Sequence, residues 1–315
     1  TEEGQREVLA GYGITEERLG VPVVTTVDTV YLGNCANGRP VWFDRAAYEA
    51  DLIVPINRVK LHTDFVGPIQ SGLCKMLVIG LGNHKGCSAV HEEAPEVFAG
   101  AIEETARLIL QKAPVGFGIA ILENAYDKTY AVEAVPAEHL VEREKELVQI
   151  AKGNMPYIML DEADVIVCGA IGKDISGAGF DPNILGRSSV LKQFVLHIPR
   201  YQRLVLCDVT PASHGNGIGV GLFDVITKKV AEQLDLESMY ANAIACNCLG
   251  DASVPCTVDD EETAIRVALK CCRNIDRDHP RIIRIQNTLH LGEIEVSEAL
   301  LDAVRADSRM SLIEN

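Results

Sequence analysis

One lysine of the chain lies inside an almost wholly apolar run. Lys75 stands in the segment SGLCKMLVIG, between Leu73 and Cys74 on one side and Met76 to Ile79 on the other. A buried, unpaired ammonium costs several kcal/mol and tends to lose its proton. A desolvated lysine of this kind is nucleophilic near neutral pH and suits covalent attachment of a cofactor or substrate. The competing interpretation is a stem that crosses apolar surface and places its charge in a salt bridge.

Three histidines lie within thirty positions around this lysine: His62, His84 and His91. Neutral imidazole is a common metal ligand, so they suggest a metal site, whereas a loop followed by a capped helix start is the simpler alternative. His62 differs in kind, because it stands in a polar loop with Arg58 and Lys60. An imidazole there is suited to act as a general base, and the two cations are suited to hold a carboxylate.

A glycine-rich segment, GLGNHKG, follows the apolar run. Its Gly80, Gly82 and Gly86 have the spacing GxGxxxG, one residue longer than the dinucleotide fingerprint GxGxxG. A tight turn between two elements explains the glycines equally well. The segment therefore supports only a second hypothesis, a nicotinamide-dependent 2-hydroxy acid dehydrogenase.

The segment RVKLHTDFVGPIQSGLCK, with a histidine sixteen positions after its lysine, resembles the signature of the nickel-pincer-nucleotide lactate racemase superfamily. The resemblance implies a nickel pincer nucleotide, pyridinium-3,5-bisthiocarboxylic acid mononucleotide nickel, as the cofactor. It implies that Lys75 forms a thioamide with this cofactor, within a binding segment that includes Ser71 and Gly72. It further implies that His91 binds the nickel ion and that His62 is the proton-transferring base.

The same resemblance implies a racemase or epimerase of a small 2-hydroxy acid, which works by proton abstraction and reversible hydride transfer. Arg58 and Lys60 are then expected to bind substrate, together with Lys173 and Asp174 of the segment GKDISGAGFDPN. The residues after that segment's start differ from those of lactate racemase, so which 2-hydroxy acid is bound stays open. A second catalytic histidine is expected upstream of Thr1. The non-enzymatic alternative is a metal- or cofactor-binding protein.

Composition excludes several classes of protein. The chain has 315 residues, with 29 basic against 45 acidic residues and a net charge of −16, so no basic surface suits nucleic acid. No apolar run is long enough to span a bilayer, and we expect no membrane partner and a cytoplasmic location. The ten cysteines are dispersed through apolar segments and are expected to be reduced. The expected partners are the substrate and the enzymes of cofactor biosynthesis; whether the chain forms a homo-oligomer stays open.

Short apolar runs alternate with longer amphipathic ones along the whole chain, which is typical of βαβ units. This order predicts two Rossmann-like α/β domains with mainly parallel sheets and a cleft between them. We place an N-terminal cofactor-binding domain at residues 1–153 and a C-terminal α/β domain at 154–315. The predicted elements are strands at 51–57, 116–122, 164–171 and 204–209, and helices at 91–113, 137–153 and 221–235.

Overall fold

A computed structural model of the chain describes residues 1–313 and confirms the mixed α/β class. The chain divides into two compact units. The first comprises Thr1–Glu123 and Thr129–Gly153, and the second comprises Asn124–Lys128 and the chain from Asn154 onward.

The first unit contains two small sheets and seven helices within its described residues. β1 and β2 form an antiparallel hairpin, and a three-stranded sheet has the order β3-β4-β5. β3 is parallel to β4, whereas β4 and β5 are antiparallel. The elements are α1 (Glu2–Gly11), α2 (Glu16–Leu19), β1 (Thr29–Asn34), β2 (Pro40–Asp44), α3 (Arg45–Tyr48), β3 (Ile56–Arg58), α4 (Leu73–Lys75), α5 (Asn83–His91), α6 (Phe98–Lys112), β4 (Phe117–Glu123), β5 (Thr129–Pro136) and α7 (Leu140–Asn154).

The expectation of a mainly parallel sheet is wrong for this unit. The connection between β4 and β5, Asn124–Lys128, is too short for the crossover that parallel neighbours require, so the two strands form a hairpin. The predicted helix at 91–113 is also divided, because α5 ends at His91 and α6 begins only at Phe98. Pro95 lies between them, and proline disfavours helical backbone at the residue before it.

The second unit has one six-stranded sheet of the order β11-β10-β6-β7-β8-β9. Its strands are parallel except for the edge strand β11, which is antiparallel to β10. Strand β6 is fully buried, as expected for a central parallel strand. The elements are β6 (Val165–Cys168), α8 (Pro182–Leu185), β7 (Arg203–Leu206), β8 (Val225–Thr227), α9 (Lys228–Gln233), α10 (Leu236–Ala245), β9 (Cys256–Val258), α11 (Glu261–Lys270), β10 (Ile282–Ile285), β11 (Glu295–Val296) and α12 (Leu301–Ala306).

The predicted helix at 221–235 is a strand followed by a short helix. Val225 and Ile226 are buried and pair with both β7 and β9, so the β-branched residues continue the sheet. Thr227 then caps α9, since its side chain accepts a hydrogen bond from the Val230 backbone N–H.

The apolar run that contains Lys75 is helical. Helix α4 passes directly into a π-helical turn at Met76–Gly80, and α5 follows after Gly82. Single π-turns are rare and occur often at functional sites. A Cβ atom on Gly82 would lie 2.1 Å from the Val78 carbonyl oxygen, so this glycine is required for close backbone packing. The dinucleotide fingerprint requires a strand before the glycines, and here a helix precedes them.

Candidate functional site

A short loop positions His62 beside Lys75. Lys60 and Ser71 pair as an antiparallel bridge, with backbone N–H to carbonyl distances of 2.9 and 3.2 Å, and so close the loop between them. The Gln70 side chain fixes the loop from inside, because its Oε1 accepts from the His62 backbone N–H at 2.7 Å. The His62 ring Nε2 consequently lies 2.5 Å from Lys75 Nζ.

The hydrogen bonds of the His62 ring determine which partner carries the protons. The Asp64 backbone N–H can only donate, and it lies 3.0 Å from His62 Nδ1, so Nδ1 is the acceptor nitrogen. A neutral imidazole has one acceptor and one N–H, which places the proton on Nε2. Nε2–H then donates to Lys75 Nζ, and only an unprotonated amine offers a lone pair to receive it. The contact therefore holds Lys75 as a neutral amine.

The electrostatics of the two groups point in the same direction. Burial lowers the pKa of Lys75; Asp64 and Cys87 oppose the shift and Lys60 adds to it. Burial also lowers the pKa of His62 to about 2, with further contributions from Lys75 and Lys60. Burial therefore disfavours the charged form of both side chains.

His91 lies at the C-terminal end of α5 with its ring exposed to solvent. Its Nδ1 is 2.8 Å from the Cys87 carbonyl oxygen, which can only accept, so Nδ1 carries the proton and Nε2 has the lone pair. The hydrogen bond to the Cys87 side chain raises the pKa of His91. An imidazole whose Nδ1–H is tied to a carbonyl has the arrangement typical of a histidine that binds metal through Nε2.

Two phenylalanines connect the histidines. The His62 ring stacks on Phe65 at a centroid distance of 4.3 Å, Phe65 contacts Phe98 at 4.8 Å, and Phe98 contacts His91 at 4.9 Å. Phe65 and Phe98 are buried, so the row is part of the core of the first unit. The structure thus brings His62, Lys75 and His91 into one region, although 29 positions separate the two histidines.

A pocket of about 210 Å³ opens at Lys75. Arg58 and Lys60 contribute positive charge to its wall, although the chain as a whole carries a net charge of −16. The Arg58 guanidinium also forms a salt bridge with Glu123 at 3.0 Å, which orients it. The pocket is lined by Asn57, Arg58, Lys60, Ser71, Lys75, Met76, Ile79 and Gly80.

Glu144 is a residue of this region that the sequence analysis missed. It is fully buried in α7, and its Oε2 accepts from the Cys74 backbone N–H at 2.8 Å, so it caps the short helix that carries Lys75. Burial raises the pKa of Glu144 to about 7. Gly72 is needed beside it, because a Cβ atom there would lie 2.6 Å from the carboxyl group. The signal was available: Glu144 interrupts the apolar face formed by Leu140, Val141, Leu147, Val148 and Ala151.

Lys173 and Asp174, the other expected substrate-binding residues, lie in the second unit. Lys173 Nζ donates to the Gly177 carbonyl at 2.6 Å, and Asp174 accepts a hydrogen bond from the Thr210 hydroxyl. The Lys173 backbone N–H donates to Ser213 Oγ at 2.8 Å. In this unit the predicted residues take part in the turns that follow β6 and β7.

Within residues 1–313 no group of three or more His, Cys, Asp and Glu side chains is arranged to hold a metal ion. A cofactor that brings its own donor atoms needs less from the protein: one attachment point and one ligand. Lys75 as a neutral amine and His91 with its basic Nε2 meet these two needs. The residues present therefore fit a nickel pincer nucleotide.

Comparison with known proteins gives little further constraint. No protein-family model matches the sequence, and no curated protein matches it. Among solved structures, the lactate racemase apoprotein from Thermoanaerobacterium thermosaccharolyticum is 13% identical with a TM-score of 0.44, over 83% of this chain and 67% of that chain. A structural-genomics protein from Thermotoga maritima is 12% identical with a TM-score of 0.40, over 90% of this chain and 69% of that one. Neither score is high enough to establish a shared fold. The helices of residues 1–313 include none with the length and apolarity to cross a membrane.

Proposed function

We propose that the chain is a racemase or epimerase of a small 2-hydroxy acid that uses a nickel pincer nucleotide attached to Lys75. The observation that carries the proposal is the contact between His62 and Lys75, which holds the lysine as a neutral amine. The resemblance of the segment at 58–91 to the lactate racemase superfamily names the group that such an amine would bind.

Two side chains would hold the cofactor. The Lys75 amine would form an amide-type bond, which removes the charge that makes a buried lysine costly. The exposed His91 would offer Nε2 to nickel, with its ring orientation fixed by the Cys87 carbonyl. When bound, the cofactor supplies a reversible acceptor for the hydride of a 2-hydroxy acid.

Attachment at Lys75 would change the role of His62. An amide nitrogen has no lone pair to offer, so the hydrogen bond from His62 Nε2–H would be lost. With the proton on Nε2, His62 would first donate a hydrogen bond to the substrate oxygen. To accept the hydroxyl proton as a general base, Nε2 must become unprotonated, which requires the ring proton to move to Nδ1 and the contact with the Asp64 backbone N–H to open. In the unloaded chain the same ring has both nitrogens engaged, by the Asp64 backbone and by Lys75.

The positive charges of the pocket favour an anionic substrate. Arg58 and Lys60 line the pocket beside Lys75, where either is suited to bind a carboxylate through charge-assisted hydrogen bonds. Lys173 and Asp174 of the second unit are also proposed to bind substrate. The small volume, about 210 Å³, favours a short side chain on the acid.

The nicotinamide-dependent dehydrogenase is less well supported. It requires a strand, a glycine turn and a helix, and the glycine segment here is preceded by the π-helical turn Met76–Gly80. It also gives no reason for a neutral lysine. A non-catalytic cofactor-binding protein would share the Lys75 site and differ only in turnover.

The test is to produce the chain together with the enzymes of cofactor biosynthesis and to measure metal content and intact mass. We expect nickel and one mass adduct that peptide mapping assigns to Lys75. The loaded protein is then given single enantiomers of a panel of 2-hydroxy acids, and the products are separated by chiral chromatography. Nickel and adduct without interconversion would favour the non-catalytic binding protein, and an adduct on another lysine would contradict the assignment.

A further inference from the structure

The neutral amine of Lys75 exists before any cofactor is attached. It depends only on groups of the chain itself: the Asp64 backbone N–H fixes the His62 tautomer, the His62 ring donates to the amine, and burial disfavours its charged form. The other charged or titratable groups that act on it are Lys60, Asp64 and Cys87, of which Lys60 favours the neutral form and the other two oppose it. A neutral amine that lines a pocket can act as a nucleophile toward small molecules that enter it.

The pocket around this amine selects by charge and size. Arg58 and Lys60 place two cationic side chains in its wall, and the volume of about 210 Å³ lies below the range of about 300 to 1,000 Å³ usual for drug-sized ligands. Ser71 and Asn57 add polar groups to the same wall. The fitting ligand is a small organic anion.

We propose that, in the unloaded chain, Lys75 forms an imine with a small carbonyl compound that carries a carboxylate, the class of the 2-oxo acids. This activity goes beyond the racemase function and does not depend on it, since it requires neither nickel nor the nucleotide. The carboxylate is held by Arg58 and Lys60, and the carbonyl carbon is presented to Nζ.

The reaction balances without any further reagent. The hydrogen bond from His62 opens, and the Nζ lone pair forms a bond to the carbonyl carbon while the carbonyl π pair moves to oxygen. A proton passes from the new ammonium nitrogen to that oxygen through water, which gives a carbinolamine. The nitrogen lone pair then forms the C=N bond while the hydroxyl leaves as water, and the proton that this water takes is balanced by the loss of the second N–H proton from the nitrogen. The amine and the carbonyl compound thus yield one imine and one water.

The experiment traps the imine by reduction. The unloaded chain is incubated with pyruvate and sodium borohydride at neutral pH, and modified peptides are mapped by mass spectrometry. We expect Lys75 to carry most of the modification and Lys85, an exposed lysine of the same unit, to carry little, because the hydrogen bond from His62 and burial both favour the neutral amine of Lys75. Acetone, which lacks the carboxylate, is expected to modify Lys75 far less than pyruvate does.

Four variants separate the chemistry from folding defects. Lys75→Arg should remove the main modified peptide while circular dichroism shows a folded chain. His62→Ala should move the pH dependence of Lys75 modification to higher pH, because the donor that favours the neutral amine is gone. His62→Gln keeps an N–H donor and should restore part of the shift, whereas His84→Ala, on an exposed part of α5, should leave the profile unchanged.

Three results would overturn the inference: no trapped oxo acid on Lys75, equal modification of Lys75 and Lys85, or equal modification of Lys75 by pyruvate and acetone. None of them depends on the outcome of the nickel and adduct experiment. If the loaded protein carries the adduct on Lys75 but the unloaded chain traps no oxo acid, only this inference fails. If trapping succeeds and no nickel adduct forms, the proposed racemase function fails and the imine chemistry stands.

Discussion

Two loops of this protein contain the same kinds of residue and use them differently. The loop of the first unit includes Lys60, His62 and Asp64, and the turn after β6 in the second unit includes Lys173 and Asp174. In the second unit the Lys173 amine donates to a backbone carbonyl, and the Asp174 carboxylate accepts from the Thr210 hydroxyl. In the first unit the Asp64 backbone N–H faces Nδ1 of the His62 ring, and the Lys75 amine faces Nε2. These two contacts allow only one arrangement of the protons.

The difference shows that composition alone does not identify a reactive site. Lys173 donates a hydrogen bond from Nζ to the Gly177 carbonyl and one from its backbone N–H to Ser213 Oγ, so both of these donors face acceptors. Lys75 lies where α4 meets the π-helical turn, and its side chain is half buried. The His62 ring contacts its amine and offers a hydrogen bond that only the neutral amine can accept. Burial and the polarity of the hydrogen bonds together create the neutral amine.

The largest expected effect comes from replacing each of these two lysines. Lys75→Ala should abolish cofactor attachment and with it all turnover of the loaded enzyme, because no other group replaces a covalent bond. Lys173→Ala should retain the adduct and the nickel, since its amine is a turn-forming donor in the second unit. Intact mass and metal analysis of both variants check this. Loss of the adduct in Lys173→Ala would contradict the distinction between the two lysines.

The next effect concerns metal retention on α5. His91→Ala should lower nickel affinity by more than about 10-fold while leaving the mass adduct on Lys75, because the nickel bond is coordinative and the adduct covalent; losing even an outer-shell partner of a ligand costs about 10 to 100-fold. His84→Ala is the matched control, since His84 lies on the same helix and is exposed. Nickel content after dialysis against a chelator gives the measurement, and equal retention by both variants would exclude His91 as the ligand.

The sequence singled out Lys75 as a lysine within an apolar run but did not predict its surroundings. The amino-acid sequence shows directly that Lys75 interrupts an apolar run, and it shows the spacing of Lys75 to His62 and His91. The π-helical turn is not, because a run of apolar residues fits a helix and a strand equally well. The acceptor role of His62 Nδ1 depends on the Asp64 backbone direction, which only the folded loop fixes.

The fold was predictable to a similar extent. The parallel sheet of the second unit follows from apolar runs spaced by helices, whereas strand β8 was hidden in a segment that also reads as an amphipathic helix. In the first unit the alternation suggested a parallel sheet, and the short turn Asn124–Lys128 decided otherwise. The length of the connection between β4 and β5 therefore predicts their antiparallel pairing better than the alternation of apolar and amphipathic runs does.

A third prediction uses pH to examine Glu144, whose carboxyl group accepts a hydrogen bond from the first turn of α4, the short helix that carries Lys75. Its pKa is raised to about 7 in the folded chain from an ordinary value of 4.5, so the folded state binds a proton more tightly than the unfolded state. Its contribution to stability is therefore fully present below about pH 4.5 and is lost as pH rises through about 7, a change of about 3 kcal/mol. Glu144→Gln should remove this dependence.

The measurement is urea denaturation of both proteins at several pH values between about 4.5 and 8. The stability difference between Glu144→Gln and the parent chain should grow in favour of the variant as pH rises. Glu142→Gln, an exposed position of the same helix, serves as control. A difference that stays constant over this range would show that Glu144 does not titrate with folding.

The smallest expected effect lies in the second unit. Thr210 donates to Asp174 and its hydroxyl also lies 3.0 Å from Ser213 Oγ, so Thr210→Val removes two hydrogen bonds from the turn with little change of shape. Because hydrogen bonds near the surface contribute modestly, we expect a loss of about 1 kcal/mol in the free energy of unfolding. The pH profile for pyruvate trapping at Lys75 should stay that of the parent chain, since Lys75 owes its neutral form to His62 and to burial within the first unit. Denaturation and the trapping assay on one preparation test both statements, and a shifted trapping profile would show that the turn of the second unit also controls the amine.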